Sequence, residues 1–267
     1  MKARVYIGTS GWNYSQWKDR FYAGVPRRDW LRYNASRFSA LEVNASFYRL
    51  LSKTAVERWY TQTPDDFRFA IKGHRFLTHN KKLAEPEEPI RLEREHAAGL
   101  KDKLAAVLWQ LPRASRKNMP RLEAFADALF QWPRVRHVLE FRNPSWFDDE
   151  VADCLSRHHL AVSLSDAADW PLWDRVTTDL VYVRLHGHTR TYASAYSASA
   201  LATWARRVRG WLRTGRDVHV YFDNDAEGAA PFDALKLMAR LADVGAIGPR
   251  GTVRSMSLND KSGQTST

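Results

Sequence analysis

Glu42, Glu140 and His186 are the side chains best suited to carry protons, and each has a polar partner two residues away: Asn44, Arg142 and Arg184. All six sit in short apolar-rich runs. On an extended strand, side chains alternate between faces, so residues two apart share one face. In Leu41–Phe47 the odd positions are apolar, while Glu42, Asn44 and Ser46 share the other side. The same parity groups Lys72 with His74, Glu140 with Arg142, Tyr182 with Arg184 and His186, and Tyr221 with Asp223; Gln110 takes the same side. Val43, Ile71, Leu139, Val183 and Val220 fall on the opposite faces, which should pack against helices.

Glu42 and Glu140 are the expected acid and base, with His186 as a second proton carrier. Lys72, Arg142 and Arg184 would neutralise an anion or a developing negative charge. Burying a lone ion costs several kcal/mol, against a total domain stability of about 5–15 kcal/mol. These charges must therefore pair with one another, line an open mouth, or do both. Two glutamates against three cations leave a positive excess, which points to an anionic small molecule such as a phosphorylated sugar or nucleotide fragment. A purely structural ion-pair network is the competing account.

Aromatic residues fall just after the strand runs: Trp12, Tyr14 and Trp17, then Phe47 and Tyr48, Trp146, Trp170 and Trp173, and Tyr192 and Tyr196. Such rings can stack a sugar or a base, or simply pack loops onto a rim. The expected binding set is thus Trp12, Asn44, Tyr48, Lys72, Gln110, Arg142, Trp146, Asp166, Arg184, Tyr192, Asp223 and Asn224. His186 and His188 with Glu140, Asp166 and Asp223 have the chemistry of metal ligands. Lys72, Arg142 and Arg184 would repel a divalent cation, so no metal is expected, and no cofactor. Gly8-Thr9-Ser10-Gly11 could cradle an anion but lacks the spacing and lysine of a phosphate loop.

The elements that must hold these residues are eight strands: Arg4–Thr9, Leu41–Phe47, Phe67–Lys72, Ala105–Leu111, Arg136–Arg142, Leu160–Asp166, Leu180–His186 and Asp217–Asn224. Helical patterns separate most of them. Thr54-Ala55-Val56-Glu57 reads as a capping box opening a helix with Val56, Trp59 and Tyr60. Leu201, Trp204, Val208, Trp211 and Leu212 follow the 3.6-residue period, and Gly215 lies just past their end. Residues 78–103, rich in charge and proline, predict one long helix or two broken ones. Trp170-Pro171-Leu172-Trp173 leaves little room for a helix between the sixth and seventh strands. Repeated strand–helix alternation predicts an α/β fold: a single (β/α)8 TIM-type barrel over residues 1–245, polar and charge-lined at its C-terminal mouth. Residues 246–267, with Gly248, Pro249 and Gly251, read as a flexible tail.

Composition narrows the classes. The one cysteine, Cys154, excludes an intramolecular disulfide or multi-cysteine metal site, and its spacing with Val151 and Leu155 marks a packed core thiol. No apolar run approaches a membrane span and no signal peptide is visible, so a cytoplasmic protein is expected. The net charge is +11, with 41 Lys plus Arg. Arginines are scattered over helix faces, as at Arg206, Arg207 and Arg209, which favours a solvated surface. A non-catalytic or nucleic-acid-binding protein using that surface and the loop aromatics is the second functional reading.

The chain resembles the domain-of-unknown-function-72 family (YecE-like). The matching stretches are Gly8-Thr9-Ser10-Gly11-Trp12 with Tyr14 and Trp17, Leu41 through Arg49, Phe69-Ala70-Ile71-Lys72 with Thr78-His79, and Trp109-Gln110-Leu111-Pro112. They continue with Glu140 through Trp146, Tyr182 through Gly187 with Tyr192 and Tyr196, and Tyr221 through Asp225 with Gly228 and Ala229. Ala45-Ser46 and Phe232-Asp233 depart from the usual family residues, away from the charged positions. The resemblance implies a TIM-type barrel and carries no established activity or catalytic assignment.

Overall fold

The computed structural model describes residues 3–244; the expected tail at 246–267 lies outside them. Eight parallel strands close into a barrel in sequence order. They are β1 (Val5–Ser10), β2 (Ala40–Val43), β3 (Arg68–Lys72), β4 (Leu104–Gln110), β5 (Arg136–Glu140), β6 (Ala161–Asp166), β7 (Leu180–Leu185) and β8 (Asp217–Phe222). The helices are α1 (Trp30–Arg37), α2 (Ala45–Tyr48), α3 (Lys53–Gln62), α4 (Glu87–Ala97), α5 (Met119–Ala128), α6 (Asp149–Arg157), α7 (Ala198–Arg213) and α8 (Ala230–Arg240).

Val43, Ile71, Leu139, Val183 and Val220 are buried between strands and helices, as the parity requires. Cys154 packs in the same outer core on α6. Inside the barrel, the layer towards the strand N-termini is largely apolar, with buried His219 packed against Tyr6 and stacked on Tyr182. Alanines at 40, 70, 106 and 161 leave room there for Tyr6, Tyr182 and Tyr221. Polar side chains occupy the layer above, so the interior is an oily floor beneath a charged roof.

Two local expectations change, and a third, open between one long helix and two broken ones, takes a broken form. The second strand stops at Val43, and Asn44 through Tyr48 turn into α2 instead of extending to Phe47. Asn44 and Ser46 therefore do not share a strand face with Glu42. Helix α3 begins two residues early: Ser52, not Thr54, accepts the capping bond from the Ala55 amide. The 78–103 segment is split into a π-helical turn at Phe76–Asn80, then α4, then a 3-10 stretch Ala98–Lys103 containing Lys101 at φ 48°. Such wide turns inside helical segments recur at functional sites.

The β6–β7 connection forms no helix, as the Trp-Pro-Leu-Trp run predicts. Trp170 folds over the barrel mouth, and Trp173 stacks on Phe147 with centroids 5.3 Å apart. At the end of β7, Gly187 adopts φ +107°, where a Cβ would stand 2.5 Å from the Arg190 carbonyl oxygen. Only glycine tolerates this turn, which sends the chain back so that the Tyr192 amide bonds the His186 carbonyl.

Candidate functional site

The strand register determines which charges meet. Ser10 pairs with Glu42 across β1–β2, Gln110 with Glu140 across β4–β5, and Ser165 with Arg184 across β6–β7. All these side chains project inward from the C-terminal half of the barrel. Arg184 lies at the centre, fully buried. Its Nε stands 3.1 Å from both Glu42 carboxylate oxygens, and its Nη2 lies 2.7 Å from Glu42 Oε1. Nη1 donates to Glu140 Oε2 at 2.8 Å, and Nη2 to Asp223 Oδ2 at 2.9 Å. Tyr182 donates to Glu42 Oε2 at 2.6 Å, and Ser10 donates to Oε1. One guanidinium thus binds three carboxylates.

Electrostatics follow from that geometry. Burial works to raise the Glu140 pKa, but Arg184, Arg142, His186 and Lys72 outweigh it and hold the carboxylate well below its usual range. Asp223 is likewise lowered, burial being overcome chiefly by Arg184 and His186. His186 is pushed down by burial and then by Arg184. Its Nε2 faces Arg184 Nη1 at 3.3 Å, and arginine can only donate, so Nε2 is the accepting nitrogen; Nδ1 lies 2.9 Å from Asp223 Oδ2 without the alignment of a hydrogen bond. Asp223 was absent from the simple count of two glutamates against three cations. With it the buried layer holds three carboxylates against one guanidinium, and Lys72 and Arg142 on the cavity wall above bring the two levels together to neutrality.

That cavity, of about 360 Å³, is lined by Phe47, Lys72, His79, Gln110, Pro112, Arg113, Arg142, Asp169, Trp170 and Tyr192. Arg142 connects the two levels. Its Nε donates to Glu140 Oε1 at 2.8 Å, its Nη1 donates to the Tyr192 hydroxyl at 3.0 Å, and its guanidinium lies 4.1 Å from the Trp170 ring centre. Lys72 behaves differently. Among the described residues no carboxylate comes within 4.0 Å of its amine, which instead lies 4.2 Å over the Phe47 ring. Burial, followed by Arg184, lowers its pKa to about 8. His79 bonds Thr78 Oγ1 through Nδ1, and burial with Lys72, Arg75 and Arg142 lowers it to about 4, so its ring is neutral.

The structure sorts the sequence candidates into three groups. Glu42, Glu140, Arg184, His186 and Asp223 form the buried layer; Lys72, Gln110, Arg142 and Tyr192 line the cavity. The others stand apart. Asn44 touches the layer's edge through Ser10 Oγ at 2.8 Å. Trp12 packs edge-to-face on Trp59, and Tyr48 is 69% exposed. Trp146 is buried outside the barrel, bonding the Ser115 carbonyl and stacking on Phe141. Asp166 pairs with Leu185 in register, so parity turns it outward and puts Ser163 and Ser165 inside. Asn224 ties a loop together by donating to Ser194 O and Asp233 Oδ2. Of the candidate metal ligands, Glu140, His186 and Asp223 converge on Arg184, whose guanidinium fills the centre, while Asp166 and His188 lie together away from it, 3.6 Å apart.

Residues outside the expected set also contribute. Tyr182 had the right parity, and Ser10 closed the Gly-Thr-Ser-Gly turn, but nothing in the sequence paired either with Glu42. Phe47 and Trp170 stood out as loop aromatics. Arg113 and Asp169 lie on irregular backbone and His79 on the π-helical turn, where no ordinary strand or helix periodicity shows which way a side chain points.

A profile of the family described as "Protein of unknown function DUF72" matches residues 6–253. The chain is 25% identical over 281 aligned positions to UPF0759 protein YunF of Bacillus subtilis (strain 168), covering 90% of this chain and 95% of that one. A solved DUF72 family protein of Thermotoga maritima superposes with a TM-score of 0.81 at 25% identity, covering 90% and 99% of the two chains. A second, from Enterococcus faecalis, gives 0.77 at 21% identity over 89% and 95%.

Proposed function

The chain belongs to the DUF72 family of proteins of unknown function, and we propose that its barrel mouth binds a small anionic metabolite and acts on it as an enzyme. The carrying observation is the charge of the cavity wall. Lys72, Arg113 and Arg142 face it, against the single carboxylate of Asp169. Arg142 is held by Glu140 and Tyr192, so a cationic fork is already oriented for a carboxylate or phosphate. A cavity of this size suits a metabolite, not a polymer.

The geometry favours a division of labour. Glu42 and Glu140 act as fixed counterions for Arg184 and Arg142, since both oxygens of each are engaged and Glu140 resists protonation. Arg184 holds Asp223, with His186 packed beside them. Proton transfer belongs to groups that reach the cavity: Lys72, Tyr192 and His79. The basic surface fits solvation, because its arginines pair locally with acids, as Arg136 with Asp179, Arg175 with Asp149 and Arg209 with Asp243.

Thermal-shift screening with phosphosugars, nucleotides, carboxylates and oligonucleotides at two salt concentrations tests the proposal. A small anion should raise the melting temperature at both salts, and Arg142→Met should abolish the shift. Stabilisation by oligonucleotides alone, vanishing at the higher salt, would support nucleic-acid binding instead.

A further inference from the structure

We infer that Lys72 is a covalent catalytic residue, condensing through Nζ with the aldehyde or ketone carbonyl of a small anionic substrate to form an imine. The inference rests on the anionic-pocket reading above. It is carried by the way the three central cations are held. Arg184 is bound by three carboxylates and Arg142 by one, whereas Lys72, a few side chains away in the same barrel, has none within 4.0 Å among the described residues. Its amine lines the cavity and rests on the face of Phe47 at 4.2 Å. A cation kept only to attract an anion would be better served by arginine, which remains charged and grips two oxygens at once. Lysine adds one property: it can lose its proton and become a nucleophile.

The surroundings favour that loss. Arg184 and Arg142 repel a charged amine, while Glu140 and Asp223 pull the other way but are already committed to the arginines. From the overlying turn, Arg75 sits 5.9 Å from the Phe47 ring centre and His79 is neutral, so neither holds the lysine proton in place. Burial is the largest influence, the arginine repulsion adds to it, and together they lower the amine to about 8. Its neutral fraction at pH 7 is therefore roughly a few hundred times that of an exposed lysine. A lysine desolvated next to other cations is a recognised way of activating this nucleophile.

The rest of the cavity supplies what the reaction needs. The neutral Lys72 lone pair attacks the carbonyl carbon, and the carbonyl π pair moves to oxygen, which takes up a proton. The nitrogen gives up a proton, the hydroxyl leaves with another as water as the nitrogen lone pair closes the C=N bond, and the iminium nitrogen then gives up its remaining proton. The sum is amine plus carbonyl giving imine plus water, with no redox change. Tyr192 is placed to donate to the leaving hydroxyl. Burial keeps its phenol protonated, and Arg142 donates to its oxygen, leaving its own hydrogen free for the cavity. Tyr192 holds φ 63°, an uncommon conformation for a non-glycine residue, consistent with a side chain fixed by its task. Arg142 then grips the substrate's carboxylate or phosphate.

The test is reductive trapping. The full chain is incubated separately with pyruvate, glyoxylate and dihydroxyacetone phosphate in the presence of cyanoborohydride, and adducts are located by peptide mass mapping. Label should appear on the Lys72 peptide well before exposed Lys18 or Lys53, inorganic phosphate should slow it, and Lys72→Arg should lack it. Mapping on the wild-type chain keeps the test valid even if that variant fails to fold. Uniform labelling of surface lysines, or none at Lys72, overturns the inference. If Lys72 stays unlabelled while phosphate or carboxylates still raise the melting temperature, only the imine falls; if neither effect appears, the anionic-pocket reading falls too.

Discussion

Replacing Arg184 with Met tests whether the buried layer is held together as the geometry says. The guanidinium makes close contacts with Glu42, Glu140 and Asp223, and both Arg184 and the two glutamates are fully buried. Methionine fills similar volume but supplies no donor. Glu140 would keep Arg142, and Glu42 would keep Tyr182 and Ser10, so the carboxylates lose their central partner without being wholly stranded. Removing one partner from a buried ion pair typically costs about 3–5 kcal/mol. In a domain of this size each kcal/mol corresponds to roughly 2–4 °C in melting temperature, so a fall of about 6–20 °C is expected. Urea denaturation with a two-state fit measures the change directly. The sign of its pH dependence is also fixed. In the parent, Glu140 and Asp223 have lowered pKa values, so their stabilisation is present above the ordinary carboxylate range and is lost as pH falls towards the folded-state values. Without Arg184 those values rise and the carboxylates can take up protons, so the gap between variant and parent should narrow on acidification. Adding Glu42→Gln should restore part of the loss at neutral pH. Unchanged or increased stability of Arg184→Met would refute the network.

Lys72→Met should raise stability at pH 7 by up to about 3 kcal/mol, because the folded-state pKa near 8 lies below the ordinary lysine value. The folded state then disfavours the charged amine, fully so below pH 8, and the gain should fade as pH rises from 8 towards 10.5; a calorimetric pH series checks it. Arg142→Met should cost about 1–3 kcal/mol through loss of its bonds to Glu140 and Tyr192, and should remove any melting shift produced by phosphate. Glu93 is buried on α4, among the described residues accepts a hydrogen bond only from the His74 amide, and burial raises its pKa to about 8. Its penalty on ionisation grows from the ordinary carboxylate range up to pH 8, so Glu93→Gln should stabilise the protein most above pH 8 and hardly at pH 4, as read from melting temperatures across that range.

Period-two alternation identified the strands and assigned Glu42, Lys72, Gln110, Glu140 and Arg184 to the inside, because a closed sheet gives parity only one meaning. It failed where strand geometry ended. Asn44 begins a short helix, and Asp166 belongs to a strand whose inward residues are the odd-numbered serines. Parity is meaningful only relative to a register, and a single sequence supplies no register between β6 and β7. Pairing was equally hidden: Glu42 and Arg184 are 142 residues apart, and only barrel closure brings them to 2.7 Å. The aromatic loops showed the reverse difficulty. Trp146 and Trp170 looked equivalent, yet one packs outside the barrel on Phe141 and the Ser115 loop and the other covers the cavity, because β6 is followed by a bare loop in place of a helix.

The balance of charge in the two levels ties binding to chemistry. Glu42, Glu140 and Asp223 carry three negative charges, and Arg184, Arg142 and a protonated Lys72 carry three positive ones. Below pH 8 the combined layer is therefore neutral within the protein, and the cations facing the cavity still attract an anion locally. A bound anion would raise the Lys72 pKa, because opposite charge nearby favours the ammonium form. A substrate that used its negative charge to sit against Lys72 would thus suppress the nucleophile it needs. The conflict is removed if the anionic group is taken by Arg142, which cannot deprotonate and is already oriented, leaving the uncharged end of the molecule over Lys72. The arrangement therefore selects substrates with the charged group and the reactive group at opposite ends. In the trapping experiment, a probe with its phosphate several bonds from the carbonyl should label Lys72 faster than glyoxylate, whose carboxylate adjoins its aldehyde. The opposite order would place the anion on Lys72 itself.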